Sequence, residues 1–490
     1  MMKSTYNVRD YGAVGDGETL DTAAMQAAIE ACGGAGGGTV TVPAGTYVIG
    51  SLMLCNHITL HLDAGATLLG SEDPADYPII ESRWEGASRP THAPLIGGRD
   101  LERVAIVGRG TIDGRGSGWW ARHRSGTLDA PRPRLVSFSG CTNLLIEGVT
   151  LRRSPSWTIH PYDCENVTVT QVTIENPARS PNTDGINPES CRNVHISDCH
   201  IDVGDDCITI KAGTEDDPDA LKPCENLTIT NCTMVHGHGG VVIGSEMSGG
   251  VRNVVISNCV FMGTDRGIRL KARRGRGGIV EDVRVTNVVM RDVHCPFIMN
   301  LFYGPGAWGA ERIADHDPWP VDDGTPRFRR IALAHITARG VRYAAGFLFG
   351  LPEMAIEDVS LTDVDVSMAP DAEAGRPAMA PEIAPMRRAG FFARNVNGLR
   401  LRDVRIREQL GPALTVVDGA DVEIDGLTTP TPDPAAPVVL LQDVSEAVVR
   451  GCRARPGNGT FLQLSGSATR DVHLVGNLLD AAAQDVDVIG

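Results

Sequence analysis

Cys141-Thr142-Asn143-Leu144-Leu145-Ile146 returns as Cys164-Glu165-Asn166-Val167-Thr168-Val169, as Cys191-Arg192-Asn193-Val194-His195-Ile196 and as Cys224-Glu225-Asn226-Leu227-Thr228-Ile229. A fifth copy, Val251-Arg252-Asn253-Val254-Val255-Ile256, lacks the cysteine. The steps are 23, 27, 33 and 27 residues, with weaker echoes at Val280-Glu281-Asp282-Val283, Ile356-Glu357-Asp358-Val359 and Val396-Asn397-Gly398-Leu399. Each unit carries short alternating runs of β-branched residues and a turn signal, and no helical period of similar length separates them. Short strands repeating with a period in the twenties predict an all-β fold, a parallel β-solenoid with one coil per repeat.

The repeat makes two further expectations. Asn143, Asn166, Asn193, Asn226 and Asn253 hold one position in successive coils, so their amides can hydrogen-bond in a ladder. Cys141, Cys164, Cys191 and Cys224 fall in register as small apolar residues of an interior stack. The alternatives for these cysteines are disulfides or a metal site, but no close CxxC pair is present. A narrow interior filled by Val, Ile, Leu and Ala also accounts for an aromatic content of only 5%, and 56 Gly and 30 Pro supply the turns.

Outside the repeats, Asp21 to Cys32 reads as a short N-terminal helix capping the first coil. Met25, Ala28, Ile29 and Cys32 share one face, and Gly33-Gly34 is the expected stop. The period lapses between Tyr303 and Arg327 and again in the Pro- and Ala-rich stretch from Met368 to Met386, which are expected to project as loops beside a binding face. The expected organisation is one β-helix domain over residues 1–490. Its cap occupies about 1–50, its catalytic coils about 140–305 and its C-terminal coils about 328–490.

Composition limits the function. The 490 residues carry 61 acidic and 45 basic side chains, a formal net charge of −16, which disfavours nucleic acid and anionic membranes as partners. No run approaches the roughly 18 apolar residues of a membrane helix. Met1 to Val8 has neither an apolar core nor a small-residue cleavage site, so the expected compartment is the cytoplasm as written, or outside it if a leader was removed.

Four segments concentrate polar residues that a packed coil does not need: Asn182-Thr183-Asp184-Gly185, Gly204-Asp205-Asp206-Cys207, Gly237-His238-Gly239-Gly240 and Arg269-Leu270-Lys271. The 21 residues from Asp184 to Asp205 are close to one coil, which puts these carboxylates on adjacent rungs of one face. Steps of 32 from Asp206 to His238 and 31 from His238 to Arg269 keep that face with longer turns. Carboxylates brought close repel, so one is expected to hold a proton near neutral pH while the others stay ionised. One acid to protonate a leaving oxygen and one base to activate water is the requirement of glycoside hydrolysis. Taken singly, each Asp-Gly or Gly-Asp-Asp is better read as a turn or a calcium site. Their joint occurrence on one face reverses that preference. Arg269 and Lys271 alternate by two and so point to the same side of one strand, where they can anchor a substrate carboxylate. Arg266, Arg269, Lys271, Arg273, Arg274 and Arg276 together are expected to form a local positive patch within an acidic chain.

These four motifs, in this order, resemble glycoside hydrolase family 28, the polygalacturonases and their relatives. The resemblance includes Asp10-Tyr11-Gly12-Ala13-Val14-Gly15-Asp16-Gly17 and Gly110-Thr111-Ile112-Asp113-Gly114, and runs from about residue 6 to Tyr303. Arg269-Leu270-Lys271 stands where the family usually has Arg-Ile-Lys. The resemblance implies a right-handed parallel β-helix and an inverting hydrolysis of α-1,4-galacturonosidic bonds, with no metal and no cofactor. Carried over residue by residue, Asp205 would be the general acid and Asp184 and Asp206 would hold and activate water. His238 would support the acid, and Asn182, Arg269, Lys271 and Tyr303 would bind substrate.

The implied partner is an anionic, galacturonate-containing polysaccharide or oligosaccharide, with rhamnogalacturonan and xylogalacturonan as alternative backbones. Loops near Arg83 to Arg99 and Tyr303 to Arg327 are expected to wall off one end of the cleft and give exo action. The readings from other classes are β-elimination of the pectate-lyase kind and a non-catalytic glycan-binding solenoid.

Overall fold

The computed structural model describes residues 5–489. The reading of Met1 to Ser4 as part of a leaderless N-terminus lies outside the described residues. Two compact units, Met1–His238 and Gly239–Gly490, are described in turn.

The first unit is a parallel β-helix, as the repeat predicts. Its strands pair with the strand one coil away in parallel register: Val104 lies opposite Leu144, Leu144 opposite Val167, Val167 opposite Val194 and Val194 opposite Leu227. Two residues on, Ile106, Ile146, Val169, Ile196 and Ile229 form a second inward row, and both rows are 0–1% exposed. Period-2 alternation therefore feeds the core from one sheet face, each residue contributing about 1.5–3 kcal/mol by leaving water.

The asparagine ladder forms over the four of its five expected members that lie in this unit. Asn166 Nδ2 donates to Asn143 Oδ1 (3.3 Å), Asn193 to Asn166 (3.0 Å) and Asn226 to Asn193 (3.1 Å). Each of these asparagines also adopts the left-handed backbone region, with φ between 57° and 61°. Asn is the non-glycine residue that tolerates this conformation best, so the ladder residue is also the one that turns the chain. The cysteines at the start of these repeats are buried and free of disulfides, with thiols that meet main-chain carbonyls of the preceding coil, as from Cys191 to Pro161 O at 3.3 Å.

Helix α1 (Thr22–Gly34) buries Met25, Ala28, Ile29 and Cys32, the face read from the sequence. Its end differs from expectation. Gly33 and Gly34 remain helical, and the left-handed turn falls on Gly36 and Gly37. Gly33 lies where a Cβ would come within 2.8 Å of Cys55 Cβ, so close approach, not termination, requires that glycine. Asp21 does not cap the helix; its carboxylate accepts from the amides of Val14 and Gly15.

Strands Ile96–Arg99, Val136–Ser139 and Ile159–Tyr162 form a separate face sheet, extended by bridges from Ile159 to Ile186 and from Ile186 to Ile208. An antiparallel hairpin, Ile79–Trp84 with Ala87–His92, turns at Glu85 and Gly86, both at positive φ, the requirement of a type I′ turn.

The second unit is likewise a parallel β-helix, with longer strands. Val241–Gly244, Arg266–Lys271, Cys295–Asn300, Ala344–Phe349 and the start of Ala389–Arg407 make its face sheet. The two stretches where the period lapses are loops, the first containing the one-turn helix Glu311–Ala314.

Candidate active site

In the first unit the strand bridge Ile186–Ile208 sets Asp184 opposite Asp206 on neighbouring coils. The amide of Gly185 donates to Asp206 O (3.0 Å), and the amide of His238 to Asp205 O (3.1 Å). Two glycines make these approaches possible. A Cβ on Gly185 would lie 2.4 Å from Cys207 O, and one on Gly237, at φ 74°, would lie 2.3 Å from Asp205 O. Asn182, Asp184, Asp205, Asp206 and His238 thus belong to one neighbourhood of the unit, as their spacing predicted.

Their environments differ. Asp184 and Asp206 are buried, at 4% and 1% exposure, whereas the Asp205 side chain is 24% exposed and that of His238 51%. Asp184 Oδ2 accepts from Asn187 Nδ2 (3.1 Å) and Thr209 Oγ1 (3.4 Å), donors that hold a carboxylate in a fixed orientation. Asp205 Oδ1 lies 3.2 Å from His238 Nδ1 and accepts from the amide of Asp206 at 3.0 Å. The arrangement offers one solvent-reachable carboxyl beside an imidazole, backed by two carboxylates shielded from bulk water.

One contributor has no signal in the repeat. Arg132 is buried and donates to Pro155 O, Pro181 O and, at 2.5 Å, to Asn182 Oδ1. Burial pushes its guanidinium down to about 10, while the charges of Glu85, Asp184 and Asp205 hold it up. It is therefore a fixed cation that orients Asn182, itself at φ 54°, and offsets the charge of the nearby carboxylates. Asn187 and Thr209 likewise have no signal in the repeat, because only the fold brings their donors to Asp184.

The hairpin lies on the outer side of this face sheet. The Arg83 guanidinium meets the buried Glu189 (Nη2 to Oε1, 3.1 Å) and Asp217 (2.5 Å), and sits 4.9 Å above the Tyr162 ring. Trp84 stacks on Trp157 at 5.7 Å, with the Arg134 guanidinium 5.0 Å from the Trp157 ring. Glu189 also binds His160 Nε2 at 2.9 Å. Burial, reinforced by Arg134, pushes the His160 imidazole down to about 4 against the pull of Glu189.

In the second unit Arg269 and Lys271 point to one side of their strand, both buried, at 3% and 7% exposure. The Tyr303 ring lies 5.8 Å from the Arg269 guanidinium and 5.3 Å from Lys271 Nζ. Tyr303 is thus brought to the basic pair, together with Met379, whose sulfur lies 3.2 Å from Arg269 Nη2. The expected six-residue positive patch is not formed as such. Arg274 is buried against Glu353 (2.6 Å) and donates to the carbonyls of Arg312, Asp315 and Asp317, while Arg266 donates to Arg376 O and Pro377 O. These two arginines are spent in pinning the irregular loops, because carbonyls in a structureless loop need donors when buried.

The family model described as glycosyl hydrolases family 28 matches residues 32–312. A probable polygalacturonase from Vitis vinifera is 37% identical over 375 residues, 74% of this chain and 74% of the relative. An exo-poly-alpha-D-galacturonosidase from Dickeya chrysanthemi is 31% identical over 59% of this chain and 55% of its own length. Among solved structures, a hyperthermoactive exopolygalacturonase from Thermotoga maritima is similar with a TM-score of 0.66 and 31% identity, covering 76% of this chain and 89% of that one.

Proposed function

The chain belongs to glycosyl hydrolases family 28 and is a glycoside hydrolase, and from that premise we propose that it removes terminal galacturonate units from polygalacturonate or its oligomers by inverting hydrolysis of α-1,4 bonds. The observation that carries the reading is the carboxylate group Asp184, Asp205 and Asp206 with His238 at 3.2 Å from Asp205. Asp205, the carboxyl reachable from solvent, gives its proton to the glycosidic oxygen as the C1–O bond breaks. Asp184 and Asp206 take a proton from the water that attacks C1 from the opposite face. His238 orients the acid. Asn182, positioned by Arg132, contacts the sugar, and Arg269, Lys271 and Tyr303 anchor a uronate carboxylate, Arg with a bidentate fork and Lys as a point charge.

Exo action is supported by the Ile79–His92 hairpin, which Arg83 fastens across the outer side of the sheet beside the carboxylates and so obstructs a continuous groove there. The Dickeya and Thermotoga proteins named above are described as exo-acting. Digestion of polygalacturonate tests the reading. Monomer or dimer as the sole early product, released as the β-anomer by proton NMR and unaffected by chelator, is expected. A ladder of mid-length oligomers removes the exo reading, an α-anomer the inverting one, and an unsaturated, ultraviolet-absorbing product the hydrolytic one. Asp205→Asn is expected to lower turnover by several orders of magnitude with the fold intact.

A further inference from the structure

On the face sheet of the second unit the outward rows continue past the basic pair. Arg269 lies opposite Ile298, Ile298 opposite Phe347 and Phe347 opposite Phe392; in the adjacent row Lys271 leads through Asn300 and Phe349 to Arg394. The rows therefore change from cationic to aromatic. Strands lie about 4.7–4.9 Å apart, so Phe347 is about 10 Å and Phe392 about 14 Å along the sheet from the Arg269 strand. A pyranose ring occupies roughly one such step, which puts the aromatic residues two or three sugar units from the anchor.

These rings line an open cavity of about 250 Å³, together with Ile383 and Met386. Phe347 stacks on Phe392 at 5.4 Å and Phe349 on Phe302 at 4.6 Å. The irregular stretches supply the rest: the loop after Tyr303 brings His316, whose ring meets Phe349 edge-on at 5.4 Å, and the stretch before Met386 brings Ile383. The cavity has little net charge to offer an acid. Glu382 and Arg394 are both in its lining, and Arg394 is tied to Asp418 at 3.0 Å. His316 is held below the ordinary imidazole range by burial, and its Nε2 is buried with no hydrogen-bond partner among the described residues. A free uronate carboxylate would lose water against these apolar walls, where Arg394 is already paired with Asp418, whereas a methyl group fits them.

We propose that this cavity is a distal subsite for a pyranose unit presenting a methyl group: the methyl ester of an esterified uronate or the C5 methyl of a 6-deoxyhexose, in the same glycan whose acidic unit is held by Arg269 and Lys271. The inference rests on the uronate-chain reading above and gives it a preference for modified chains.

Calorimetric titration of the Asp205→Asn protein with three tetrasaccharides tests it. Their other units are galacturonate and they differ only in one terminal unit, which is galacturonate, its methyl ester or rhamnose. At least one methyl-bearing form is expected to bind about tenfold more tightly than the acid, the size of effect one methyl-sized group has in an apolar pocket. Which form does so identifies the source. Phe392→Ala or, should that variant not fold, Met386→Ala is expected to abolish the difference and leave the acid's affinity within about twofold. Equal or better binding of the acid, no binding of any form, or a preference that survives both substitutions overturns the proposal. Turnover of polygalacturonate by the unmodified chain is read separately. Its absence beside an intact methyl preference would remove the hydrolytic reading and leave the cavity's assignment standing.

Discussion

Replacing Arg83 by Met isolates the hairpin's fastening. The side chain is 3% exposed and faces Glu189, which is fully buried, through Nε at 3.2 Å and Nη2 at 3.1 Å. It also holds Asp217 at 2.5 Å and Gly86 O at 2.6 Å. Methionine keeps most of the apolar stem over Tyr162 and deletes the charge that faces Glu189 at 3.1 Å. Removing one partner of a buried ion pair costs about 3–5 kcal/mol, chiefly because the other charge is stranded. Glu189→Gln removes that charge while preserving shape and an oxygen for His160. The double substitution is therefore expected to recover about 2 kcal/mol or more of the sum of the single losses. Trp84 of the hairpin stacks on Trp157 at 5.7 Å, so the fluorescence that Trp84→Phe removes reports the hairpin's release, to be followed in guanidinium beside far-ultraviolet circular dichroism for the coils. In the same Arg83→Met protein, mid-length oligomers are expected among the products of polygalacturonate. A coupling below about 0.5 kcal/mol would show that Arg83 and Glu189 do not act as a pair. An unchanged product profile, with the fluorescence reporting an open hairpin, would refute the hairpin as the barrier.

Three other outcomes are expected. His160 is neutral in the folded chain with its pKa pushed down to about 4, so the unfolded chain binds the extra proton below about 6.5. The associated stability is complete above that pH and is lost as pH falls from about 6.5 through 4, so the loss of unfolding free energy between pH 7 and 5 should be about 2 kcal/mol smaller in His160→Gln. Asn193→Ala forces alanine to φ 58° and breaks two rungs of the ladder; a cost of about 2 kcal/mol by urea unfolding is expected, with Asn193→Gly costing less because glycine accepts that backbone. Arg274→Met strands the buried Glu353 and three loop carbonyls, and is expected to open residues 303–327 to limited proteolysis while the strands stay protected.

The solenoid was legible because its physics is periodic. An inward row needs an apolar residue at every coil, and a left-handed corner favours Asn, so both wrote themselves into the repeat at Leu144, Val167 and Val194 and at Asn143, Asn166 and Asn193. The carboxylate group was legible for the same reason, since one coil length separates Asp184 from its neighbours. Features that break the period were not. Helix α2 (Gly116–Ser125) buries Trp119 and Trp120 but carries Gly116 and Gly118, each costing about 1 kcal/mol of helix propensity, so no local preference announces it. Packing of Trp119 against Tyr77 and His92, both at 5.2 Å, overrides that preference, and these are contacts across more than 20 residues of sequence. Arg132 was invisible because its partners are two main-chain carbonyls of other loops and Asn182, 50 residues away.

Charge shows the same limit most clearly. Six cations within 11 residues read as one positive patch, yet a sequence gives their spacing and not their partners. Alternation by two keeps Arg269 and Lys271 on the outer side of their strand, where both meet Tyr303. Arg266 and Arg274 are drawn away by unmet carbonyls of the two irregular stretches, which lack a ladder of their own. Those arginines still serve the site, because the loops they fix deliver Tyr303, Met379 and the walls of the aromatic cavity. A guanidinium that anchors a loop and one that anchors a substrate carboxylate use the same donors. The acceptor within reach decides between them, and only the fold supplies it.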